Sequence, residues 1–443
     1  MRNRLSGKYT FDAMARFAWP TVVMLVFMSL YTMVDGAFVS VLVGTDALSA
    51  LNIVMPVINI YFAVGIMLAT GTAAIVARKM GQGRGDEASG DFSFMLYVAA
   101  AMGVAISLAA SAFLDPILRL LGARPEVFAY CRDYLGTLLL FVPLAILQMM
   151  FQSFFVVAGR PGVGLAVVVA GGLANVVLDY LFIAVLGLGV TGAALATGIG
   201  YAIPAVSGLV FFIAGKGGAL ILGRPRPDWR VLAESCFNGS SEMVSNLSLA
   251  VVTYLFNRTM LRLLGVDGVA AITIVLYAEF LLASIYMGFS TGVAPLFSYK
   301  YGKRDDAQLK KLFRNSLLFI GLCSVAAVTV SLVFAGPIVS VFTPTGSEVY
   351  DYALHGFRLH ALCFIFMGFN IFASAMFTAL ANGKISALLS FLRTFFFLVL
   401  AITLLPGALG VDGVWLAVPV AEALSIFVSG LYVVRLRSVY RYV

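Results

Sequence analysis

The sequence predicts an all-α integral membrane protein, with twelve transmembrane helices in two six-helix lobes that are related by a parallel internal repeat. Three observations lead to this fold class. The chain of 443 residues is 61% hydrophobic and only 11% charged, with a mean hydropathy of +1.01, whereas soluble domains carry roughly 25% charged residues. Long segments without any charged residue recur along the chain. A second copy of the residue pattern also follows the first at a constant separation.

The uncharged segments define the predicted spans. Residues 47–77, 92–114 and 315–347 are examples, and each is long enough to cross a hydrocarbon core, which takes about 20 helical residues. Helices are expected because a spanning segment must satisfy its backbone hydrogen bonds internally. Turn and charge signals place the twelve spans near residues 15–40, 50–77, 92–114, 130–158, 163–186, 191–214, 232–262, 270–299, 313–335, 352–381, 385–405 and 413–434.

The basic residues predict the orientation of these spans. Of the 29 lysines and arginines, 22 lie in the N-terminus, in every second loop and in the C-terminus. Cytoplasmic loops carry such an excess, so both termini are expected in the cytoplasm. The net charge of +8 is then a consequence of topology, and no nucleic-acid partner is expected.

The internal repeat has a constant offset of 221 positions. Three pairs of segments match: LVGTDALSALNIV (42–54) with LLGVDGVAAITIV (263–275), TGTAAIVARKMG (70–81) with TGVAPLFSYKYG (291–302), and GVTGAALAT (189–197) with GVDGVWLAV (410–418). The repeat predicts an N-terminal six-helix lobe, residues 1–220, and a C-terminal six-helix lobe, residues 221–443. Parallel repeats of this kind are typical of transporters whose binding site lies near the middle of the membrane.

Four polar residues of the first half have apolar counterparts in the second half. They are Asp35, Asn175, Asp179 and Thr197, and the residues at the offset of the repeat are Phe256, Phe396, Leu400 and Val418. Asn175 and Asp179 share one face of a helix, because they are four residues apart. Carboxylate, amide and hydroxyl oxygens suit a hard cation such as Na⁺, and two neighbouring carboxylates can instead hold a proton. The four residues are therefore predicted to bind a coupling ion. The alternative is that Asp179 only forms a hydrogen bond to a neighbouring helix.

The second half has its own charged residues within predicted spans. They are Glu242, Glu279, Arg393 and Glu422, and their first-half counterparts are Thr21, Ile58, Gly172 and Tyr201. Charges inside a membrane usually mark a pathway or a paired site. Three acids against one base would attract a lipophilic cation, which makes these residues secondary candidates for substrate binding. Alternatively, Arg393 pairs with Glu422, and Glu279 pairs with a hydroxyl group.

Pro20 lies in the first predicted span, upstream of Asp35. A proline removes one backbone hydrogen bond and bends a helix. We therefore predict a hinge at Pro20 that could link protonation of Asp35 to movement, although a static kink is equally compatible with the sequence.

Motifs for other chemistries are missing from the sequence. The four cysteines form no C-x-x-C pair, and His355 and His360 belong to no metal-binding motif. There is no P-loop, so an ion gradient is the expected energy source. No catalytic residue, cofactor or metal other than the possible Na⁺ is predicted, and the chain is not expected to be an enzyme.

These features together resemble the prokaryotic multidrug and toxic compound extrusion (MATE) transporters, over essentially the whole chain. The resemblance rests on the twelve spans, the 6+6 repeat, Pro20 with Asp35, and the set Asn175, Asp179 and Thr197. Family members with this pattern place an acid of the first helix beside an Asn and an Asp of the fifth and a Thr of the sixth. Another branch couples through acids of the seventh and tenth helices; Glu242 could fill the first role, but the tenth span here has Asn370. The resemblance implies two lobes in a V shape and a drug–ion antiport. It also leads us to expect a multi-pass protein of a bacterial or archaeal inner (plasma) membrane.

The expected function is secondary active antiport, in which organic cations or drugs leave in exchange for H⁺ or Na⁺. The expected partners are membrane lipids and small cationic or amphipathic substrates, and a monomer is expected. An alternative is a flippase for a lipid-linked oligosaccharide or related amphiphile, which would need a strongly cationic cavity, and Arg393 is the one base clearly inside a span. A membrane-embedded transferase would need a clustered His, Asp and Glu site, and a passive channel would not accumulate its substrate.

Overall fold

The computed structural model describes residues 4–43, 45–218 and 220–443, and this part of the chain contains helices and no strand. The all-α prediction is therefore confirmed. Asp35 belongs to the first helix, but it lies outside the residues whose side chains are described. The helices are α1 (Phe11–Leu42), α2 (Thr45–Gly81), α3 (Gly85–Ala112), α4 (Leu114–Leu120), α5 (Pro125–Leu139), α6 (Val142–Val157), α7 (Pro161–Asp179), α8 (Gly189–Ile213), α9 (Trp229–Gly302), α10 (Asp306–Val333), α11 (Ala335–Ser340), α12 (Glu348–His360), α13 (Phe364–Ala379), α14 (Gly383–Phe391), α15 (Phe397–Leu409), α16 (Val411–Trp415) and α17 (Ala417–Tyr440).

The described helices accommodate the twelve predicted spans. Ten helical segments, some of which include a short 3₁₀ or π-helical turn, are long and apolar enough to cross a membrane. Helices α5 and α6 together are also long and apolar enough for one span, with a bend of 54° between them. Helix α9 has 74 residues and is interrupted at Gly265, whose φ of 68° and ψ of −151° are not helical. A helix of this length would extend for about 110 Å, which is enough for two spans. Gly265 therefore marks the turn between the seventh and eighth spans.

The backbone repeats with the same offset as the sequence. Helices α3 and α10 have 28 residues each, and both ends of α10 correspond to those of α3 at this offset. Gly189 and Gly410 correspond in the same way, and both have a positive φ, 55° and 58°, which glycine adopts without a steric penalty. These matched helix ends confirm the internal repeat.

The chain divides into two compact units. One consists of residues 1–7 and 23–239, and the other of residues 8–22 and 240–443. Each unit therefore contains a short segment from the other half of the sequence. The division into residues 1–220 and 221–443 was inferred from the repeat, and it stays a prediction.

The first unit has an aromatic core. The rings of Phe92 and Phe154 are 4.4 Å apart between centroids, and Phe212 packs on both Phe92 and Phe151. All four side chains are buried. Such contacts between aromatic rings add to the stability that burial gives.

In the second unit, glycines of α9 allow residues 8–22 to pack closely. A Cβ atom on Gly288 would lie 2.6 Å from the Cα atom of Val22, and one on Gly292 would lie 3.1 Å from that of Ala18. Small residues permit this close backbone approach between membrane helices. Pro20 lies in the same segment, within the continuous helix α1, and its role as a hinge stays a prediction.

Candidate ion-coupling site

The site in the first unit depends on the close packing of α7 against α8. A Cβ atom on Gly171 of α7 would lie 2.6 Å from the carbonyl oxygen of Gly200 of α8. Gly200 in turn faces Asn175, since a Cβ atom on Gly200 would lie 3.2 Å from the Cβ atom of Asn175. Because both glycines lack a side chain, α7 and α8 can approach closely, and Asn175 lies directly against α8.

Three of the predicted ion ligands are buried within this unit. Asn175 and Asp179 lie one turn apart on α7, with exposed fractions of 1% and 0%, and Thr197 of α8 is 8% exposed. Among the described residues, neither the amide of Asn175 nor the hydroxyl of Thr197 has a hydrogen-bond partner. A buried polar group without a partner costs about 1–3 kcal/mol, so such groups indicate a place where a ligand can bind.

A small pocket lies beside these residues. Its lining includes Tyr31, Gln148, Asn175 and Thr197, and it has room for about one water-sized particle. A drug-sized molecule needs roughly 300–1,000 Å³, so the pocket fits an ion or a water molecule. Oxygen atoms of an amide and a hydroxyl group, with the carboxylate of Asp179 one turn from Asn175 on α7, fit the ligand preference of Na⁺. Gln148 was not identified from the sequence, although it is a polar residue in a long uncharged segment.

The backbone changes its conformation directly after Asp179. Helix α7 ends at this residue, and Tyr180–Val185 form a π-helical segment. Short π-helical segments occur frequently at functional sites, because the wider turn shifts the direction of the following side chains. Asp179 is therefore placed at a local irregularity. Asp35, the remaining predicted ligand, lies outside the described side chains, and the role of all four residues stays a prediction.

The second unit contains an ion pair whose carboxylate is buried and whose guanidinium is partly exposed. The Nε atom of Arg393 lies 2.7 Å from one carboxylate oxygen of Glu422, and the Nδ2 atom of Asn370 donates a hydrogen bond of 2.7 Å to the other. Arg393 also lies in a π-helical segment, Leu392–Phe396. The interpretation in which Arg393 pairs with Glu422 is thus confirmed.

Glu279 and Glu242, the other two acids that the sequence predicts within spans of the second half, have different surroundings. The Oε2 atom of Glu279 lies 2.8 Å from Nε2 of His360, so the predicted hydroxyl partner of Glu279 is wrong. The partner of Glu279 is instead a histidine far along the chain, and no pattern in the sequence indicates a contact between such distant residues. Glu242 lies within electrostatic range of Arg393, and it makes no ion pair with another described residue.

Removing an unpartnered hydroxyl is expected to have opposite effects on the free and the ion-bound protein. Thr197→Val keeps the volume of the side chain and removes a buried group that has no described partner, so the ion-free protein should unfold at the same or a higher temperature. Binding of the coupling ion raises stability in proportion to its affinity, and this increase should shrink in the variant. Thermal unfolding in detergent, with and without Na⁺ and at two pH values, measures both effects. An unchanged ion-induced increase would remove Thr197 from the site.

A comparison with models of known protein families shows which family the chain belongs to. A family model described as MatE matches residues 20–181 and 243–432, in both halves of the chain. The chain belongs to the MATE family of transporters. The predicted twelve-helix fold class and the predicted family are both confirmed by this match and by the relatives.

Relatives of this MATE transporter cover its whole length. Multidrug export protein MepA of Staphylococcus aureus (strain bovine RF122 / ET3-1) is 23% identical over 430 residues, which are 97% of this chain and 94% of the relative. A crystal structure of MATE in complex with MaL6 is 23% identical, with a TM-score of 0.92 over 100% of this chain and 99% of that one.

A further structural neighbour is a MOP superfamily transporter from Pyrococcus furiosus Vc1 (DSM3638), whose binding pocket of reverse polarity suggests a different function. It is 23% identical, with a TM-score of 0.89 over 99% of this chain and 98% of that one. These structures establish that the whole chain has the MATE fold.

Proposed function

We propose that this MATE transporter is a secondary active antiporter, which exports organic cations and related drugs in exchange for H⁺ or Na⁺. The similarity to a multidrug export protein supports export. The observation that carries the proposal is the buried group of Asn175 and Asp179 on α7 and Thr197 on α8, two largely apolar spans, with a small pocket lined by Asn175 and Thr197. Charged and polar residues at membrane depth usually mark an ion pathway.

The proposed site would be completed by Asp35 from α1. The carboxylates of Asp35 and Asp179 would supply the negative charge, and Asn175 and Thr197 would contribute neutral oxygens. A bound Na⁺ would satisfy the oxygens of both neutral groups, whereas a bound proton would reside on a carboxylate. In either case the ion removes the cost of the unpartnered groups, so the helices that carry them are stabilised in the ion-bound arrangement.

The distribution of basic residues supports the proposed location. An excess of lysine and arginine in the termini and in alternate loops supports termini that lie in the cytoplasm. The similarity to a multidrug export protein of Staphylococcus aureus supports the inner (plasma) membrane of a bacterium or archaeon. The flippase interpretation has less support, since a diphosphate would need unpaired positive charge. Arg393 is already paired with Glu422 at 2.7 Å, which leaves a cationic substrate as the better match.

Purified protein in liposomes tests the proposed function. Movement of the cationic dye ethidium is followed under an imposed H⁺ gradient and then under a Na⁺ gradient, for the wild type and for Asp35→Asn. We expect that one gradient drives the dye in the wild type, and that the variant loses this movement. Full activity of the variant would exclude Asp35 from coupling and would favour Glu242. No movement of dye under either gradient would contradict the proposal and favour the flippase.

A further inference from the structure

The turn before α10 and the first turns of this helix carry a group of basic residues, which we call the α10 basic cluster. It consists of Lys303, Arg304, Lys310, Lys311 and Arg314. Lys311 is partly exposed and the other four are exposed. Within the described part of the chain, no acidic side chain forms an ion pair with any of them.

The two acidic residues beside the α10 basic cluster have other partners. Asp305 caps α10, because one of its carboxylate oxygens accepts a hydrogen bond from the backbone N–H of Gln308. Its other oxygen lies 3.5 Å from Nζ of Lys300. Asp306 pairs with Arg441 at 3.3 Å. The positive charge of the α10 basic cluster is therefore available to an anionic partner.

The α10 basic cluster continues into an apolar stripe on the same face of the helix. Lys310, Arg314, Leu318, Leu322 and Val325 follow each other at intervals of four or three residues, which places their side chains in one row. The three apolar side chains are 54%, 56% and 68% exposed, which is typical of a helix face that contacts membrane hydrocarbon. Basic groups at the end of such a row lie at the level of the lipid headgroups.

The internal repeat shows that the chain itself covers the equivalent face of α3. The counterparts of the two basic residues in the row are Ser89 and Ser93. Their hydroxyl groups accept hydrogen bonds of 3.3 and 3.0 Å from the backbone N–H groups of Ile221 and Gly223. The segment that connects α8 with α9 therefore occupies this face in the first unit.

In the second unit, the corresponding chain segment leaves the face open. Tyr442, the counterpart of Ile221, turns to the other side of α10, where its ring lies 5.0 Å from that of Phe313. Lys310 and Arg314 remain exposed. A face that is covered by polar contacts in one unit is thus open and positively charged in the other, which favours a partner of negative charge.

We propose that the α10 basic cluster binds the headgroup of an anionic phospholipid, and that an acyl chain of this lipid lies along Leu318, Leu322 and Val325. The lipid takes the place in the second unit that residues 221–223 take in the first. Charge selects an anionic headgroup over a zwitterionic one, because each basic residue near the membrane surface strengthens the attraction to anionic lipids. The apolar stripe selects a lipid over a soluble phosphate, since it offers contacts that only an acyl chain can make.

Lipid binding can be measured without transport, by native mass spectrometry of the full-length protein in detergent. Dioleoylphosphatidylglycerol and dioleoylphosphatidylcholine have the same acyl chains, so a difference in affinity reports on the headgroup. We expect the wild type to bind one phosphatidylglycerol at least about tenfold more tightly than phosphatidylcholine. Equal affinities would overturn the proposal without any variant. Displacement of the lipid by equimolar inorganic phosphate would also overturn it, because the site would then be one for a soluble anion.

A triple variant tests where the lipid binds. Lys310→Gln/Lys311→Gln/Arg314→Gln removes three positive charges from the surface of α10 and leaves the apolar stripe intact. Its affinity for phosphatidylglycerol should fall by about 100-fold, since each basic residue near the membrane surface contributes about fivefold. An unchanged affinity would place the bound lipid elsewhere and overturn the site.

A matched variant in the first unit separates a local site from an effect of net charge. Lys216→Gln/Arg224→Gln/Arg230→Gln removes the same charge from three exposed positions. We expect this variant to bind phosphatidylglycerol like the wild type. An equal loss of affinity in both triple variants would overturn the proposal, because the lipid would then respond only to the total charge of the protein.

Discussion

The Asp179→Asn variant is expected to lose ion-driven export while it keeps its fold. The carboxylate is fully buried at the end of α7, and asparagine preserves its size while removing the charge. An interaction with a charged group is worth about 1.5–3 kcal/mol, so the affinity for the coupling ion should fall by about 10- to 100-fold. Transport of ethidium as a function of Na⁺ concentration and of pH would show this loss.

A matched variant separates coupling from a general loss of activity. Asp133→Asn makes the same chemical change on α5, where the side chain is exposed, and it should transport like the wild type. Substrate binding in detergent should be retained by both variants. Asp179 would be a structural residue if its variant exported dye at the wild-type rate at limiting ion concentration. In that case the interpretation as a hydrogen bond to a neighbouring helix would hold.

The sequence predicted the spans and the polar positions because both depend on local composition. Uncharged segments longer than a membrane-spanning helix exclude most other folds, and Asn175, Asp179 and Thr197 are conspicuous in such surroundings. The repeat also predicted which helices of the two halves correspond, because a constant offset requires their ends to match. Gly265 and Gly410 were part of that pattern, and their positive φ values explain why glycine recurs where one span turns into the next.

Several features of the sites could not be predicted, because they depend on contacts between distant residues. The two π-helical segments, beside Asp179 and around Arg393, have no sequence signal and depend on how each helix packs. His360 was set aside as an isolated histidine, since its partner Glu279 is far away in the sequence. Gln148 was also missed, because a single amide in an apolar segment does not indicate which face of its helix lines a pocket.

Removing one charge of the ion pair between Arg393 and Glu422 should destabilise the protein, whereas removing both charges together should be tolerated. Arg393→Met would leave the carboxylate of Glu422, which is 5% exposed, without its counter-ion, and breaking such a buried pair costs about 3–5 kcal/mol. The double variant Arg393→Met/Glu422→Gln removes both charges and keeps an oxygen that can accept the hydrogen bond from Asn370. It should recover most of the lost free energy of unfolding, because a neutral replacement of a buried pair is often tolerated.

Thermal unfolding in detergent compares these variants with an exposed pair. Arg132→Met breaks the pair of Arg132 with Asp115, whose side chains are 61% and 44% exposed, and should cost less than about 1 kcal/mol. A single variant Arg393→Met as stable as the wild type would contradict the expectation and would mean that Glu422 does not need its counter-ion. Ion-driven export then separates the two roles of the pair. If the stable double variant still exports dye, Arg393 and Glu422 organise the second unit; if export is lost in a stable protein, both belong to the pathway of the ion or the substrate.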